Sequence, residues 1–170
     1  MPADSIPSTE DHRQAVDQAE RATAQFIAFH VDEREYGVDI LSVREIRGWS
    51  PVTSVPNSSS EVLGIVNLRG AIVPVIDLKS CFGAGRTQVD KSSVVVIVRI
   101  GRQVVGLVVD GVSDILSVNP GEIQPMPDLH GGEANLVPRI INHEGRLLGI
   151  LDLNQIVDVD ELEVVAATAH

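Results

Sequence analysis

Residues 70–78 read GAIVPVIDL, and residues 145–153 read GRLLGILDL, at an offset of 75 positions (145 − 70). Both runs begin with glycine, continue through a variable residue and a mostly apolar run, and end in Asp-Leu. A second match stands in the same order, because Tyr36-Gly37-Val38 recurs as Val105-Gly106-Leu107 at an offset of 69 (105 − 36). Two linked matches indicate two copies of one small structural unit.

The residues around these matches extend the repeat and favour β-structure. Phe26–Val31 realigns on Val95–Ile100, and Val43, Glu45 and Ile46 recur as Val112, Asp114 and Ile115. Apolar residues make up 44% of the chain, and many of them are Val and Ile, whose branched side chains favour strands. Short apolar runs separated by glycine turns are typical of small barrels or a sandwich, so we predict an all-β fold.

Turn signals divide the chain into hairpins and short helices. We predict reversals at four charged or glycine-containing segments, at residues 32–35, 68–70, 101–103 and 143–145. Alternation in residues 26–31 predicts a half-buried strand, with Ile27, Phe29 and Val31 on one face.

Helical structure is predicted at three places. Ile40–Val43 is interpreted as a helical turn that leads into a strand. Ser58–Glu61 fits a capping box and is interpreted as one or two turns of helix, ended by Gly64. Asp152 can cap a short helix through Val157. The segment 119–132, rich in Pro and Gly, is predicted to be irregular.

The chain is predicted to hold one ordered domain between polar ends. Residues 1–24 are expected to form a mobile, disordered tail, because their composition cannot bury enough apolar surface to offset chain entropy. The ordered domain should span 25–158, with repeated halves at roughly 26–85 and 94–157. The acidic segment 159–170 is expected to extend the last helix and then fray.

Charge and hydropathy exclude several classes of partner. The chain of 170 residues carries 24 acidic and 13 basic residues, a net charge of −11, which opposes binding to nucleic acid or anionic lipid. No apolar run approaches the ~20 residues of a membrane helix, and the N-terminus lacks the pattern of a signal peptide. We therefore expect a cytoplasmic protein that does not insert into a membrane.

Aspartates at equivalent positions are the main candidates for catalysis. Asp77 and Asp152 end the two copies of the repeat, and paired carboxylates on duplicated β units occur in aspartic proteases. Those enzymes follow each Asp with Ser or Thr and then Gly, whereas both residues here precede Leu. Asp110-Gly111 has the glycine but no counterpart in the first half. An aspartyl hydrolase is a minor alternative, and capping or turn carboxylates explain all three residues.

No other catalytic, metal or cofactor site is predicted. The five histidines show no metal-ligand spacing, and no phosphate-binding glycine motif is present. Cys81, the single cysteine, stands between apolar neighbours and is interpreted as a buried, inert thiol.

Arg69 is the charged residue with the clearest functional interpretation. It lies at a predicted hairpin end, where an arginine is most often simply solvated. Its alternative use is as a planar donor fork for a carboxylate of a binding partner. Glu45 is the matching acidic candidate, and it too is most simply interpreted as a surface charge. Val43, Ile46, Val94 and Ile115 are most simply interpreted as core residues.

Three stretches together resemble the CheW family of chemotaxis coupling proteins. They are EYGVDILSVREIRGW (35–49), LGIVNLRGAIVPVIDL (63–78) and VVGLVVDGVSDIL (104–116), with RLLGILDL (146–153) as a weaker match. The resemblance covers about residues 26–157, and 126–138 departs most from the family pattern. It implies two interleaved five-stranded SH3-like β-barrels with short helices.

The resemblance also implies a function without catalysis, metal or cofactor. Such proteins bridge the cytoplasmic tip of methyl-accepting chemoreceptors to the regulatory domain of the histidine kinase CheA, and other CheW-like domains are further possible partners in array rings. Carried onto this sequence, the receptor- and kinase-binding positions are Ile40, Val43, Glu45, Ile46, Gly64, Arg69, Val94, Gly106 and Ile115. The alternative within this fold is an adaptor for another sensory array, such as surface motility or biofilm signalling.

Overall fold

The computed structural model describes residues 23–127 and 135–156, which form two mixed β-sheets. The strands are β1 Ala24–Val31, β2 Arg34–Asp39, β3 Val43–Gly48, β4 Val62–Leu68, β5 Ala71–Asp77, β6 Val94–Ile100, β7 Gln103–Val109, β8 Gly111–Val118, β9 Ile123–Pro125, β10 Arg139–His143 and β11 Arg146–Ile150. Short helices are α1 Leu78–Cys81 and α2 Leu153–Ile156, with 3₁₀ turns at Ile40–Ser42 and Pro120–Glu122. The predicted acidic segment and all but the last two residues of the predicted tail lie outside the described residues.

The two sheets exchange strands between the two halves of the chain. The first sheet has the order β8-β1-β2-β11-β10-β9, and the second has the order β3-β6-β7-β5-β4. Each sheet therefore takes two strands from one half and the remainder from the other half, which confirms the interleaved arrangement. The first sheet has six strands rather than the five predicted, because β9 adds a short edge strand beside β10.

The repeat is reproduced in the strand register. Ile46 lies opposite Val96 and Glu45 opposite Ile97, as Ile115 lies opposite Ile27 and Asp114 opposite Ala28. In both ladders the register shifts next to these pairs, between Val43 and Glu45 on β3 and between Val112 and Asp114 on β8. The parallel pairs Val75–Gly106 and Ile150–Gly37 also correspond. The two nine-residue runs are thus equivalent strands, each followed by a short helix.

Each sheet curls towards an SH3-like barrel, and in the second sheet an ion pair and an isolated backbone bridge between Thr53 and Ile65 link the two edges. Arg69 Nη2, in the β4–β5 turn, lies 2.8 Å from Glu45 Oε2 on β3. In a flat sheet β3 and β5 would lie three strand spacings apart, roughly 14 Å. The ion pair therefore requires the sheet to bend until its two edges face each other across a seam. We call the six-stranded sheet the first barrel and the five-stranded sheet the second barrel.

The hydrophobic core has three parts. The largest, the central cluster, includes Ile27, Phe29, Val96 and Leu107 and draws residues from both barrels. A smaller cluster belongs to strands of the first barrel, and another to strands of the second barrel. Strand β1 is consequently buried on both faces through Ala28, which is fully buried, so the prediction of a half-buried strand is wrong.

Local structure follows most of the predicted signals. All four predicted hairpins form, and Ile40–Ser42 is a 3₁₀ turn whose start is capped by Asp39. The predicted helix at Ser58–Glu61 is wrong. Ser58 Oγ donates to the Val55 carbonyl instead of capping a helix, and the Glu61 carbonyl accepts from Asp77 N, which draws the segment towards the β4–β5 hairpin. Gly64 consequently lies within β4 rather than at a helix end.

Candidate functional site

The aliphatic residues among the predicted contacts extend the central cluster towards the surface. Ile40, Val43 and Val94 are partly buried against that cluster. Ile46 and Ile115 are 45% and 57% exposed, and their cross-strand partners Val96 and Ile27 belong to the same cluster. Directly paired residues share a face of the sheet. We call these five residues the aliphatic rim; it spans the edge strands β3 and β8 of the two barrels.

One further exposed residue lies beside the rim and was not predicted. Leu41, in the 3₁₀ turn between β2 and β3, is 90% exposed. A leucine next to a strand signal is expected in the core, so the sequence offered no reason to separate Leu41 from its partly buried neighbours Ile40 and Val43.

Glu45 and Arg69, each predicted as a contact for a partner, pair with each other within the chain. Glu45 accepts hydrogen bonds from Arg69 at 2.8 Å and from Arg47 at 3.2 Å. The Arg69 hydrogen bond, with Arg47 adding to it, holds the pKa of the Glu45 carboxyl below its usual range. The Arg69 side chain is 79% exposed, so most of its donor fork remains accessible. The pair therefore presents a fixed carboxylate and a guanidinium beside exposed Ile46.

A narrow apolar cleft follows the seam that this ion pair bridges. One wall comes from Arg47 and Gly48 on β3 with the adjoining segment, and the other from Val66 and Leu68 on β4. Val95 and Ile97 of the second barrel's core line its floor. The seam thus combines apolar surface with charged groups, which is the composition expected of a protein-binding edge.

The two predicted glycines are buried packing positions. A Cβ at Gly106 would lie 2.8 Å from Val95 Cγ1, and one at Gly64 would lie 2.4 Å from the Thr53 carbonyl oxygen. Both strands pass neighbouring atoms too closely for a side chain. We therefore expect these glycines to support a binding surface through the shape of the second barrel.

A second charged cluster, which sequence reasoning missed, lies on the first barrel. Arg146 Nη1 lies 3.0 Å from Asp114 Oδ2, and Arg146 Nη2 lies 2.9 Å from Glu35 Oε2. The Arg146 hydrogen bonds lower the pKa of Asp114, which is the repeat equivalent of Glu45. Arg69 aligns with Glu144 at the 75-position offset, so the repeat identified the carboxylate but not its arginine.

The aspartates considered for catalysis hold turns and helix starts. Asp77 is fully buried and accepts from Lys79 N, Ser80 Oγ and Thr87 N. Asp152 accepts from Asn154 N, and Asp110 accepts from Asp32 N at 2.6 Å. Asp77 ends a strand of the second barrel, whereas Asp152 follows a strand of the first. These contacts agree with the capping and turn interpretation.

The cysteine and the possible metal ligands of the described residues form no reactive or metal-binding site. Burial raises the pKa of the Cys81 thiol to about 12, which keeps it protonated, as expected of an inert thiol. In residues 23–127 and 135–156 there is no group of three His, Cys, Asp or Glu side chains placed to hold a metal ion. The same part of the chain contains no helix long and apolar enough to span a membrane.

Asp77→Asn tests the structural role of the buried carboxylate. We expect a loss of about 1–2 kcal/mol in the free energy of unfolding, because an amide cannot accept at both oxygen positions and leaves a partly buried backbone donor unpaired. Urea denaturation measures the loss. Asp39→Asn, at an exposed cap that accepts from Leu41 N, is the matched control and should stay within about 0.5 kcal/mol. Equal values for both variants would contradict a special role for Asp77.

The fold and the site define a class: a double SH3-like domain with interleaved barrels around a shared core. The family model described as the CheW-like domain matches residues 25–161, and the chain belongs to this family.

Known relatives agree with this membership. The chain is 38% identical over 140 residues to the chemotaxis protein CheW of Rhizobium meliloti strain 1021, covering 82% of this chain and 90% of the relative. It is 37% identical over 145 residues to the chemotaxis protein CheW of Klebsiella aerogenes, covering 83% and 86%. The crystal structure of the scaffolding protein TtCheW from Thermoanaerobacter tengcongensis superposes with a TM-score of 0.76 at 32% identity, covering 82% of this chain and 95% of that one.

Proposed function

We propose that this chain is a non-catalytic adaptor of chemotaxis. It joins the cytoplasmic tips of methyl-accepting chemoreceptors to the regulatory domain of a CheA-type histidine kinase, and it works in the cytoplasm at membrane-associated receptor arrays. Membership of the CheW-like family supports this role, and so do the relatives named chemotaxis protein and scaffolding protein. Binding to other CheW-like domains within the array belongs to the same proposal.

The observation that carries the proposal is the aliphatic rim with its charge pair. Large apolar side chains such as Ile46 and Ile115 are exposed on edge strands, where a partner can cover them. Glu45 and Arg69 beside Ile46 can select a partner by charge. Docking at an edge strand is a common mode of peptide recognition.

Signalling then requires only that the adaptor bind two partners whose states differ. The chain can couple receptor state to kinase activity if its affinity for the kinase differs between receptor states, since coupling is a difference in binding free energy. Because the rim spans β3 and β8, which belong to different barrels, two partners can engage separate edges of one molecule.

Reconstitution tests the proposal directly. A soluble receptor-tip fragment, a CheA-type kinase and this chain are combined, and co-sedimentation and kinase autophosphorylation are measured. We expect the kinase to sediment with the receptor fragment and to change activity only when this chain is present. Failure of the chain to bind either partner would contradict the adaptor role.

Ile46→Ala and Ile115→Ala assign the two edges to partners. Each variant should weaken one interaction by about 1–2 kcal/mol, the value of the apolar surface that docking buries, with little change in unfolding free energy. Titration of each variant against receptor fragment and kinase regulatory domain separately measures the effect. Val89→Ala, at a partly exposed valine outside the rim, is the control. Unchanged affinity of both rim variants for both partners would remove the rim as a docking surface.

A further inference from the structure

We propose that Arg146 is a positioning residue that clamps the edge strand β8, so that β8 is a rigid docking edge and β3 an adaptable one. The inference rests on the proposed adaptor function for its binding consequence, but the clamp itself is a property of the free chain. It extends the site to Arg146, Asp114 and Glu35.

Arg146 ties β8 to two strands that are not its neighbours in the sheet. Its Nη1 and Nη2 atoms donate to the two carboxylate oxygens of Asp114 at 3.0 and 3.1 Å, and Nη2 also donates to Glu35 at 2.9 Å. These residues stand on β11, β8 and β2. In the strand order, β8 and β11 are separated by β1 and β2, so the guanidinium links the edge strand β8 to an inner strand two positions beyond its neighbour β1.

The ion pair on the second barrel is shorter, at 2.8 Å, but its arginine makes fewer hydrogen bonds and is more exposed. Arg69 makes one hydrogen bond to Glu45, whereas Arg146 makes a paired contact with Asp114 and a third bond to Glu35. The Arg69 side chain is 79% exposed, and that of Arg146 is 35% exposed. Exposed single ion pairs contribute little and are screened by salt, while paired guanidinium–carboxylate contacts also fix geometry.

The clamp bears on the docking residue through its neighbour in sequence. Ile115 directly follows Asp114, and β8 has a backbone ladder on one side only, to β1. An edge strand held on one side is free to fray unless side chains restrain it. Holding Asp114 in place therefore also restrains the backbone at Ile115 and the direction of the Ile115 side chain. Preorganisation of this kind lowers the entropy lost when a partner binds.

Hydrogen exchange of the full chain, without partners, tests the clamp. In Arg146→Met the amides of β8 that bond to β1 should exchange about tenfold faster, while the amides of β6 and β7 in the second barrel stay unchanged. Arg146→Lys keeps the charge but loses the paired contact and should give an intermediate increase. Arg69→Met is the matched control, and β3 should change less than about threefold. Unchanged β8 exchange, or an equal increase in all strands, would overturn the clamp.

Binding measurements complete the test and separate its failure from that of the adaptor role. Arg146→Met should weaken the interaction that Ile115→Ala weakens, by at least about threefold, and leave the other interaction unchanged. If Ile115→Ala weakens binding and Arg146→Met does not, the inference is overturned and the adaptor role stands. If neither variant affects either partner, docking at β8 is wrong, and the positioning role falls with it even where β8 exchange has increased.

Discussion

Replacing Gly64 by alanine should lower the free energy of unfolding by about 2–4 kcal/mol, combining the usual cost of overpacking with that of a strained hydrogen bond. The added Cβ would lie 2.4 Å from the Thr53 carbonyl oxygen and 2.9 Å from its carbon. That carbonyl cannot move away freely, because it accepts from Ile65 N at 2.8 Å while Thr53 N donates to the Ile65 carbonyl. Relief of the clash must therefore break this bridge or displace β4.

Urea denaturation and thermal melting measure the effect. For a domain of this size, the expected loss corresponds to a fall of roughly 5–15 °C in Tm. Gly48→Ala is the matched control, since Gly48 stands on β3 of the same barrel and a Cβ there meets nothing within 4 Å. A Gly64→Ala protein as stable as Gly48→Ala would show that the bridge at Thr53 yields easily.

This result bears on how Gly64 should be interpreted in binding experiments. A glycine that the family resemblance assigns to partner binding is here a buried packing position, so its replacement changes the surface of the second barrel indirectly. Loss of binding in Gly64→Ala should accompany a loss of stability. The exposed residues Ile46 and Arg69, by contrast, can lose binding without losing stability.

The repeat could be predicted from the sequence because equivalent strand positions carry similar side chains at the same spacing in both halves. The recurrence of Val43, Glu45 and Ile46 as Val112, Asp114 and Ile115 corresponds to equivalent cross-strand pairs, including the position of the register shift. The interleaving followed from the family resemblance rather than from the repeat. A repeat alone is equally compatible with two independent barrels.

The sequence failed where tertiary contacts outweigh local signals. The capping-box pattern at Ser58–Glu61 forms no helix, because the Glu61 carbonyl instead accepts a hydrogen bond from Asp77 N, which is distant in sequence. Arg146 was missed for a similar reason: its partners Glu35 and Asp114 lie on β2 and β8, far from it in sequence, and only the folded sheet brings them together. The exposure of Ile46 and Ile115 could not be predicted either, because an apolar residue in a strand pattern is ordinarily interpreted as a core residue.

Arg69→Glu should produce the largest loss of partner binding, about 2–5 kcal/mol, which is roughly 30-fold to more than 1,000-fold in Kd. In the free chain the substitution places two carboxylates together where Arg69 and Glu45 now pair at 2.8 Å. Because position 69 is highly exposed, the stability of the monomer should change by no more than about 1 kcal/mol. Circular dichroism and urea denaturation first establish that the fold is intact.

The size of this effect shows whether Arg69 contacts a partner or is only solvated. If Arg69 is only solvated, its replacement should change the binding free energy by no more than about 0.5 kcal/mol. Arg102→Glu, at the β6–β7 turn of the same barrel, makes the same change in net charge and should leave both affinities unchanged. Glu45→Gln then tests whether the partner recognises the ion pair or the guanidinium alone. If Glu45→Gln also loses affinity, the partner recognises the pair. If Arg69→Glu and Arg102→Glu give equal small shifts in titrations against receptor fragment and kinase regulatory domain, only net charge matters, and Arg69 is not an interface residue.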